Sequence, residues 1–185
     1  ELRPITVLFS DLCGFTRKSD ELGPTAIAEL LNEYLTTMND IIFTHGGTID
    51  KFIGDAIMVM FGAPKDMSPQ EQVQRACACA RDMQEAMVLI AKAWELRGAG
   101  DLKMRIGIHR GDAVVGNFGS DKRSDYTCIG PTVNLASRIE TACSPGSIFI
   151  SEPVSHLLES SEHTIAGEFE LKGLENPQAL YRLTR

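Results

Sequence analysis

A chain of 185 residues has the length of an ordinary single domain, and its 43% hydrophobic and 23% charged residues are typical of a globular protein. The 18 Lys and Arg residues against 25 Asp and Glu residues give a formal net charge of −7. This charge argues against broad, non-specific binding to nucleic acid, because such binding needs a dense basic surface. It does not exclude a small ligand that carries phosphates, since a few cations can cluster locally on an acidic protein.

The sequence shows few membrane or redox features. No apolar run approaches the roughly 18 residues of a membrane span, so we expect no membrane contact by this domain. The five cysteines form no Cys-x-x-Cys pair, so the spacing of a structural zinc site is absent. We expect them to be reduced packing residues of a cytoplasmic protein rather than redox residues. Because the sequence begins at Glu1 rather than Met, inside an apparent strand, we expect a domain excised from a multidomain protein with sensor domains upstream.

The first predicted elements are a buried strand and a long helix. Residues 5–9 are an apolar run that ends before Asp11, which indicates a strand with Asp11 at its carboxyl end. Pro24 marks the first turn of a helix in which apolar residues recur about every 3.6 residues. The His-Gly-Gly at 45–47 ends this helix.

A hairpin and a second helix follow. The β-rich runs 48–53 and 56–61 are joined by a Gly-Asp turn, which is typical of a hairpin and puts Asp55 at its tip. A capping box that begins at Ser68 then predicts the start of a helix, which runs to Gly98.

The second half of the chain predicts short strands and one short helix. Alternating apolar residues at 104–108 predict a strand that turns at 110–112 into a second strand at 113–116. A helix is expected at 131–142. The remaining predicted elements are a strand at 147–150, a small helix at 153–159, and strands at 164–171 and 179–184. The order β-α-β-β-α-β predicts an α+β fold with a ferredoxin-like core, extra C-terminal strands and a short helix, in one domain over residues 1–185.

Two carboxylates stand out by their position in this fold. The first strand and the hairpin can lie side by side in a ferredoxin-like sheet, which would bring Asp11 and Asp55 together. Two aspartates a few Å apart repel unless a cation lies between them, and oxygen ligands favour Mg²⁺ or Mn²⁺ held with substrate phosphates. The alternative is that Asp11 caps a turn and Asp55 is only a turn residue.

The helix after Pro131 has a polar face. Asn134 and Arg138 are four residues apart and therefore lie one above the other. A neutral amide and a fixed cation that point the same way suit a sugar hydroxyl and a phosphate. The alternative is an ordinary solvated surface.

Four segments together carry a family resemblance. They are residues 8–16 (LFSDLCGFT), 50–58 (DKFIGDAIM), 130–138 (GPTVNLASR) and 170–173 (ELKG). In this order they resemble the catalytic domain of class III nucleotidyl cyclases along almost the whole chain. The resemblance is closest to bacterial adenylyl cyclases of the cyanobacterial, bicarbonate-responsive type.

The resemblance implies a two-metal reaction. In that family two Mg²⁺ or Mn²⁺ ions bind a pair of aspartates and a backbone carbonyl, and the matching residues here are Asp11, Asp55 and Leu12. The ribose 3′-hydroxyl of ATP would attack the α-phosphorus in line while pyrophosphate leaves, with cyclic AMP as the product. One ion lowers the pKa of the hydroxyl, and the other neutralises the triphosphate.

Other matched positions imply contacts with the substrate. Arg138 matches the arginine that stabilises charge in the transition state. Asn134 matches the residue that orients the ribose, and Lys172 matches a lysine that holds the terminal phosphates. Further substrate contacts implied by the first segment and by a loop are Phe15, Thr16 and one of Lys122 and Arg123.

The choice of purine depends on two matched positions. Lys51 fits the lysine of adenylyl cyclases, whose ammonium can donate to adenine N1 but not to the protonated N1 of guanine. Thr127 matches the second position, and threonine is typical there of a bacterial subgroup. A hydroxyl can both donate and accept, so Thr127 alone discriminates less sharply, and Lys51 carries most of the case for ATP.

The resemblance also implies a head-to-tail homodimer with shared sites. The aspartates would come from one chain, and the partner would supply Lys51, Thr127, Asn134, Arg138 and Lys172. Both sets are complete in this chain, so a symmetric dimer with two competent sites is expected. Regulation by bicarbonate is a further implication of the subgroup. The alternatives are a guanylyl cyclase that acts on GTP and a non-catalytic nucleotide-binding regulatory domain.

Overall fold

All eight strands of the computed structural model, which describes residues 1–185, belong to one sheet. The elements in chain order are β1 (Leu2–Cys13), α1 (Phe15–Leu22), α2 (Pro24–Thr44), β2 (Thr48–Ile53), β3 (Ala56–Phe61), α3 (Pro69–Ala93), β4 (Lys103–Ser120), β5 (Arg123–Ile129), α4 (Pro131–Ala142), β6 (Ile148–Ser151), α5 (Glu152–Ser155), β7 (His163–Phe169) and β8 (Gln178–Leu183). Short 3-10 turns lie at Glu95–Arg97 and Ser160–Glu162. Not one of the helices combines the length and the apolar character that crossing a membrane requires.

The predicted ferredoxin-like core is confirmed. Its four strands lie in the order β2-β3-β1-β4, with β1 antiparallel to both β3 and β4. Beyond β4 the sheet continues with β6, β8 and β7, and β5 pairs with the distal part of β4. The fold is therefore α+β, and the strands predicted after the core extend the same sheet.

Helices cover both faces of the central strands. On one face α2 and α3 pack against Leu8 of β1 and Val59 of β3, in a cluster of 27 buried residues. On the other face α4 packs against Val7 and Met60 of the same two strands. Since successive side chains of a strand point to opposite faces, this burial on both sides explains why β1 and β3 are continuous apolar runs.

Several predicted boundaries are wrong. β1 extends beyond residues 5–9 at both ends, so Asp11 lies within the strand rather than after it. The eight-residue helix α1 and the strand β5 occupy segments for which no element was predicted. The small helix expected at 153–159 is only the single turn α5.

The turn predicted at 110–112 is also wrong, because β4 runs through it without interruption. The start of β1 pairs with this part of β4, with Ile5 opposite Gly111, so the backbone hydrogen bonds continue. Gly111 permits close packing instead of a turn, since a Cβ there would lie 2.6 Å from Thr132 Oγ1 on α4.

The cysteines are packing residues, as the sequence predicted. All five are free, and four of them are buried. Burial raises the pKa of the thiols of Cys77, Cys79, Cys128 and Cys143 to about 12. These four thiols therefore stay protonated and unreactive at neutral pH.

Candidate active site

β1 and the β2–β3 hairpin bring Asp11 and Asp55 side by side. β1 pairs with β3 only as far as Ser10, one residue before Asp11. Beyond that point the Leu12 amide donates a hydrogen bond of 2.8 Å to Asp55 Oδ2. The turn that presents Asp55 depends on Gly54, whose φ of +61° suits glycine. Asp11, Leu12 and Asp55, here called the carboxylate cluster, thus lie together as the predicted strand order required.

Asp11 has a basic partner to which no sequence motif pointed. Arg105 faces Asp11 across the β1–β4 pairing and donates to its two carboxylate oxygens at 3.1 and 2.8 Å. It also donates to the Thr141 carbonyl at 3.0 Å, which ties the pair to the end of α4. Burial raises the pKa of Asp11, but its hydrogen bonds with Arg105 and Glu140 outweigh this, and the resulting pKa is below the usual range of Asp.

The neighbouring acids are shifted in the opposite direction. Burial raises the pKa of Asp55; the Leu12 amide opposes this effect, and the negative charge of Asp11 adds to it. Burial and then the hydrogen bond with Asp11 raise the pKa of Glu140 well above its ordinary range. Asp11, Asp55 and Glu140 lie close enough for their negative charges to repel, and a nearby cation would stabilise their ionised forms.

The donor atoms of the carboxylate cluster fit a hard divalent cation. Asp11 and Asp55 supply carboxylate oxygens, and Leu12, whose amide contacts Asp55, adds a backbone carbonyl oxygen. Mg²⁺ and Mn²⁺ prefer such oxygen ligands and complete their shells with water and substrate phosphates. The chain contains no group of three or more His, Cys, Asp or Glu side chains placed to hold a metal ion.

Lys51 and Thr127 meet at a buried aspartate that the sequence motifs had not singled out for function. The Thr127 hydroxyl donates to Asp50 Oδ2 at 2.5 Å, and Lys51 Nζ lies 3.6 Å from Asp50 Oδ1. A bulge in β2 between Ile49 and Lys51 interrupts the regular pairing at Asp50. The Asp50 side chain is only 1% exposed, whereas that of Lys51 is 47% exposed, so the lysine can reach a ligand.

Arg138 and the segment of Lys172 also meet. A Cβ on Gly173 would lie 3.5 Å from Arg138 Nη1, which puts the guanidinium against the turn that follows β7. The side chains of Arg138, Asn134 and Lys172 take part in none of the hydrogen bonds or ion pairs within the chain. These three polar groups are therefore available to a ligand.

The remaining predicted contacts lie at a helix start and in a loop. Phe15 and Thr16 form the first turn of α1, where Phe15 packs against the core and Thr16 is exposed. Lys122 lies in the β4–β5 turn and Arg123 begins β5, and both are exposed.

Within one chain the candidate residues do not enclose a site. No hydrogen bond or ion pair joins the carboxylate cluster to Lys51, Thr127, Asn134, Arg138 or Lys172. None of the five principal cavities is lined by any of these residues. Within one chain the carboxylate cluster and the other candidates are therefore not joined by direct polar contacts.

The chain belongs to the adenylate and guanylate cyclase catalytic domain family, whose model matches residues 1–185. Class III cyclases of this kind are in general divalent-metal dependent. An adenylate cyclase of Anabaena cylindrica is 35% identical over 188 residues, which cover 98% of this chain and 37% of that protein. Adenylate cyclase 1 of Rhizobium meliloti is 35% identical over 136 residues, 74% of this chain and 20% of that protein. The chain thus spans well under half the length of these relatives.

Solved structures of both purine specificities resemble the chain. The adenylyl cyclase CyaB from P. aeruginosa has a TM-score of 0.95 and 39% identity, covering 100% of this chain and 95% of its own. The guanylyl cyclase Cya2 has a TM-score of 0.91 and 40% identity, covering 99% and 92%. A guanylyl cyclase domain from Blastocladiella emersonii has been solved both as a dimer and as a monomer. The chain is therefore a class III cyclase domain. Because cyclases of both purine specificities resemble it about equally, the choice between ATP and GTP depends on its own residues.

Proposed function

We propose that this domain is an adenylyl cyclase that converts ATP to 3′,5′-cyclic AMP and pyrophosphate. The main support for ATP as the substrate is that Lys51 and Thr127 both contact the Asp50 carboxylate. An ammonium has donors only, so Lys51 matches the acceptor N1 of adenine and opposes the protonated N1 of guanine. Because Lys51 Nζ has no other acidic partner, the half-exposed ammonium is directed by Asp50 and stays open to the base.

In this proposal the carboxylate cluster holds two Mg²⁺ or Mn²⁺ ions. When bound, such ions lower the pKa of the 3′-hydroxyl and neutralise the charge of the triphosphate and the leaving pyrophosphate. The Leu12 amide holds the Asp55 carboxylate in place, and Arg105 keeps that of Asp11 ionised and fixed. Both carboxylates are therefore oriented before substrate binds, which reduces the cost of assembling the site.

The free polar side chains act on the rest of the nucleotide. Arg138 has no internal partner, so its guanidinium can neutralise charge that develops on the α-phosphoryl oxygens. Lys172 directly precedes Gly173, which lies against the Arg138 guanidinium, and it supplies charge for the terminal phosphates. Asn134 lies one helical turn before Arg138 on α4, and its amide can orient the ribose.

The start of α1 offers a phosphate-binding contribution. The first amides of a helix have no partner inside it, and the positive end of the helix dipole favours anions. Phe15 and Thr16 follow β1 and the carboxylate cluster after a single residue, Gly14, so we assign their backbone N–H groups to the triphosphate. Lys122 or Arg123 adds a further phosphate contact from the exposed β4–β5 turn.

The complete site requires a head-to-tail homodimer. We name Lys51, Thr127, Asn134, Arg138 and Lys172 the nucleotide half of the site; the carboxylate cluster is the other half. Apolar side chains stay exposed beside both halves, with Phe52 and Ile53 next to Lys51 and Asp55, and Ile129 after Thr127. Burial of such residues against a second copy would join one chain's carboxylate cluster to its partner's nucleotide half.

The purine assignment is tested by supplying ATP and GTP separately with Mn²⁺, with and without bicarbonate. Cyclic AMP as the main product supports the proposal, and cyclic GMP as the main product refutes it. A guanylyl cyclase is the second candidate, because Thr127 carries a hydroxyl and Cya2 is a close structural relative. Any response to bicarbonate, the cytoplasmic location and the upstream sensor domains stay predictions of the resemblance.

A further inference from the structure

The Asp50 carboxylate lies at the centre of the residues assigned to reading the base. Its Oδ2 accepts hydrogen bonds from the Thr127 hydroxyl at 2.5 Å and the Cys128 amide at 3.3 Å, with the Cys128 thiol at 3.9 Å. Its Oδ1 is buried and has no hydrogen-bond partner, and the nearest cation is Lys51 Nζ at 3.6 Å. A single carboxylate therefore contacts both side chains that are proposed to distinguish the purines.

These contacts decide how the Thr127 hydroxyl can behave. An ionised carboxylate only accepts hydrogen bonds, and the groups around Asp50 are all donors. The hydroxyl proton of Thr127 is therefore directed to Asp50, and only the lone pairs of its oxygen remain for a ligand. Threonine by itself could donate or accept, but beside Asp50 it can only accept.

We propose that Asp50 is a positioning residue that fixes Thr127 as a hydrogen-bond acceptor and thereby makes the site select a purine with an amino group at C6. This proposal rests on the proposed adenylyl cyclase function. The 6-amino group of adenine is a donor that matches the Thr127 lone pairs. The O6 of guanine is an acceptor that would face those lone pairs with no proton between them.

The competing explanation is that Asp50 only completes the bulge of β2. The Cys128 amide needs an acceptor where β2 meets β5, and Asp50 supplies one. A purely structural role predicts that replacing Asp50 lowers stability and impairs ATP and GTP turnover equally. A positioning role predicts a change in the ratio of the two, which stability alone cannot produce.

The first test uses the wild-type protein and needs no variant. We compare kcat/KM for ATP with that for purine riboside triphosphate, which has hydrogen in place of the 6-amino group. Loss of the matched hydrogen bond is expected to lower kcat/KM by about tenfold. Equal values for the two nucleotides would overturn the inference.

The second test is a double-mutant cycle on the ratio of kcat/KM for ATP to that for GTP. Asp50→Ala frees the Thr127 hydroxyl to donate, so the ratio should fall by about tenfold. In Asp50→Asn the Thr127 hydroxyl and the Cys128 amide still need an acceptor, so the asparagine is expected to place its amide oxygen at the Oδ2 position. The ratio should then stay within about threefold of wild type. In a Thr127→Val background, Asp50→Ala should change the ratio no further.

The outcomes separate this inference from the proposed function. A wild-type preference for GTP, or no turnover of either nucleotide, overturns the proposed function and the inference with it. A wild-type preference for ATP that Asp50→Ala leaves unchanged overturns the inference alone, as does an equal effect of Asp50→Ala with and without Thr127. Thermal unfolding of each variant shows whether it is folded. If Asp50→Ala is not folded, equal kcat/KM values for ATP and the analogue would still overturn the inference.

Discussion

Single residues of the carboxylate cluster combine a structural role with a proposed chemical one, and Asp55 shows how the two can be separated. Its Oδ2 accepts the Leu12 amide and so attaches the hairpin tip to β1. In the proposed function, the negative charge of Asp55 binds the metal. An asparagine in its place keeps an acceptor for the amide but removes the charge.

We therefore expect Asp55→Asn to fold like wild type and to lose at least about 100-fold in kcat, because metal-dependent charge stabilisation is lost. Cyclase activity and thermal unfolding, measured on the same preparations, check this. Asp20→Asn is the matched control, since Asp20 is exposed and has no ion pair, and it should keep full activity. Near wild-type turnover by Asp55→Asn would contradict the metal role.

At the scale of elements, the placement of α4 depends on a glycine of β4. A Cβ on Gly107 would lie 2.3 Å from the backbone nitrogen of Glu140, so only a bare backbone lets α4 approach this closely. α4 carries Asn134 and Arg138, and its end is tied to Arg105 through Thr141. The strand therefore sets the position of two proposed substrate contacts.

Gly107→Ala should destabilise the fold by about 1–3 kcal/mol, because the helix has to shift to relieve the overlap. Displacing α4 should lower kcat more than it raises KM, since contacts made in the transition state are the most sensitive to position. Urea unfolding and steady-state kinetics measure the two effects. Gly116→Ala is the stability control on the same strand, because the nearest atom to a Cβ there is 3.9 Å away. Equal stability of the two variants would contradict this account.

β4 and β6 are also joined by a buried histidine. His109 Nδ1 lies 2.7 Å from the Ser151 hydroxyl, and burial, with a smaller effect of Arg110, lowers the pKa of His109 to about 4. Below the ordinary pKa of 6.5 the unfolded chain takes up a proton that the folded chain refuses. The contribution of His109 to stability is therefore complete above that pH and is lost as the pH falls.

Between pH 6.5 and pH 4 this residue should remove about 3 kcal/mol from the free energy of unfolding. Urea unfolding at several pH values measures the slope. His109→Gln keeps a polar partner for Ser151 without a titrating ring, so its stability should fall less steeply over this range. His156→Gln, at an exposed position, should keep the wild-type slope. Identical slopes for His109→Gln and wild type would refute the assignment.

The elements and residues that the sequence did not predict share a physical cause, which is pairing between distant segments. The alternation at 104–108 was visible, but the continuation through Gly111 depends on the start of β1, more than a hundred residues away. β5 pairs with β4 alone, and its first three residues are polar and exposed, so no apolar run marked this strand in the sequence. Asp50 and Arg105 became functional candidates only through neighbours that the folded sheet supplies, whereas Asp11, Asp55 and the α4 residues lie in local motifs.

At the scale of the whole molecule, the net charge of −7 has to be reconciled with a polyanionic substrate. Arg138 and Lys172 have no acidic partner within the chain, so their charge is available locally. The carboxylate cluster, in contrast, would repel a triphosphate unless divalent ions bind there. In the proposed head-to-tail dimer, the carboxylate cluster of one chain and the nucleotide half of its partner would combine their charges around one nucleotide.

This arrangement predicts complementation between two inactive variants. Asp11→Ala inactivates the carboxylate cluster, and Arg138→Ala inactivates the nucleotide half. A homodimer of either variant therefore has no site with both halves intact. A heterodimer has one site with both halves intact, so an equal mixture should recover about a quarter of the wild-type activity per chain after subunit exchange. Two affinity tags on the two variants show how much heterodimer has formed. Mixing Asp11→Ala with Asp55→Ala is the matched control and should recover nothing, because both changes fall in the same half. No recovery in purified Asp11→Ala and Arg138→Ala heterodimers would mean that each chain builds its own site.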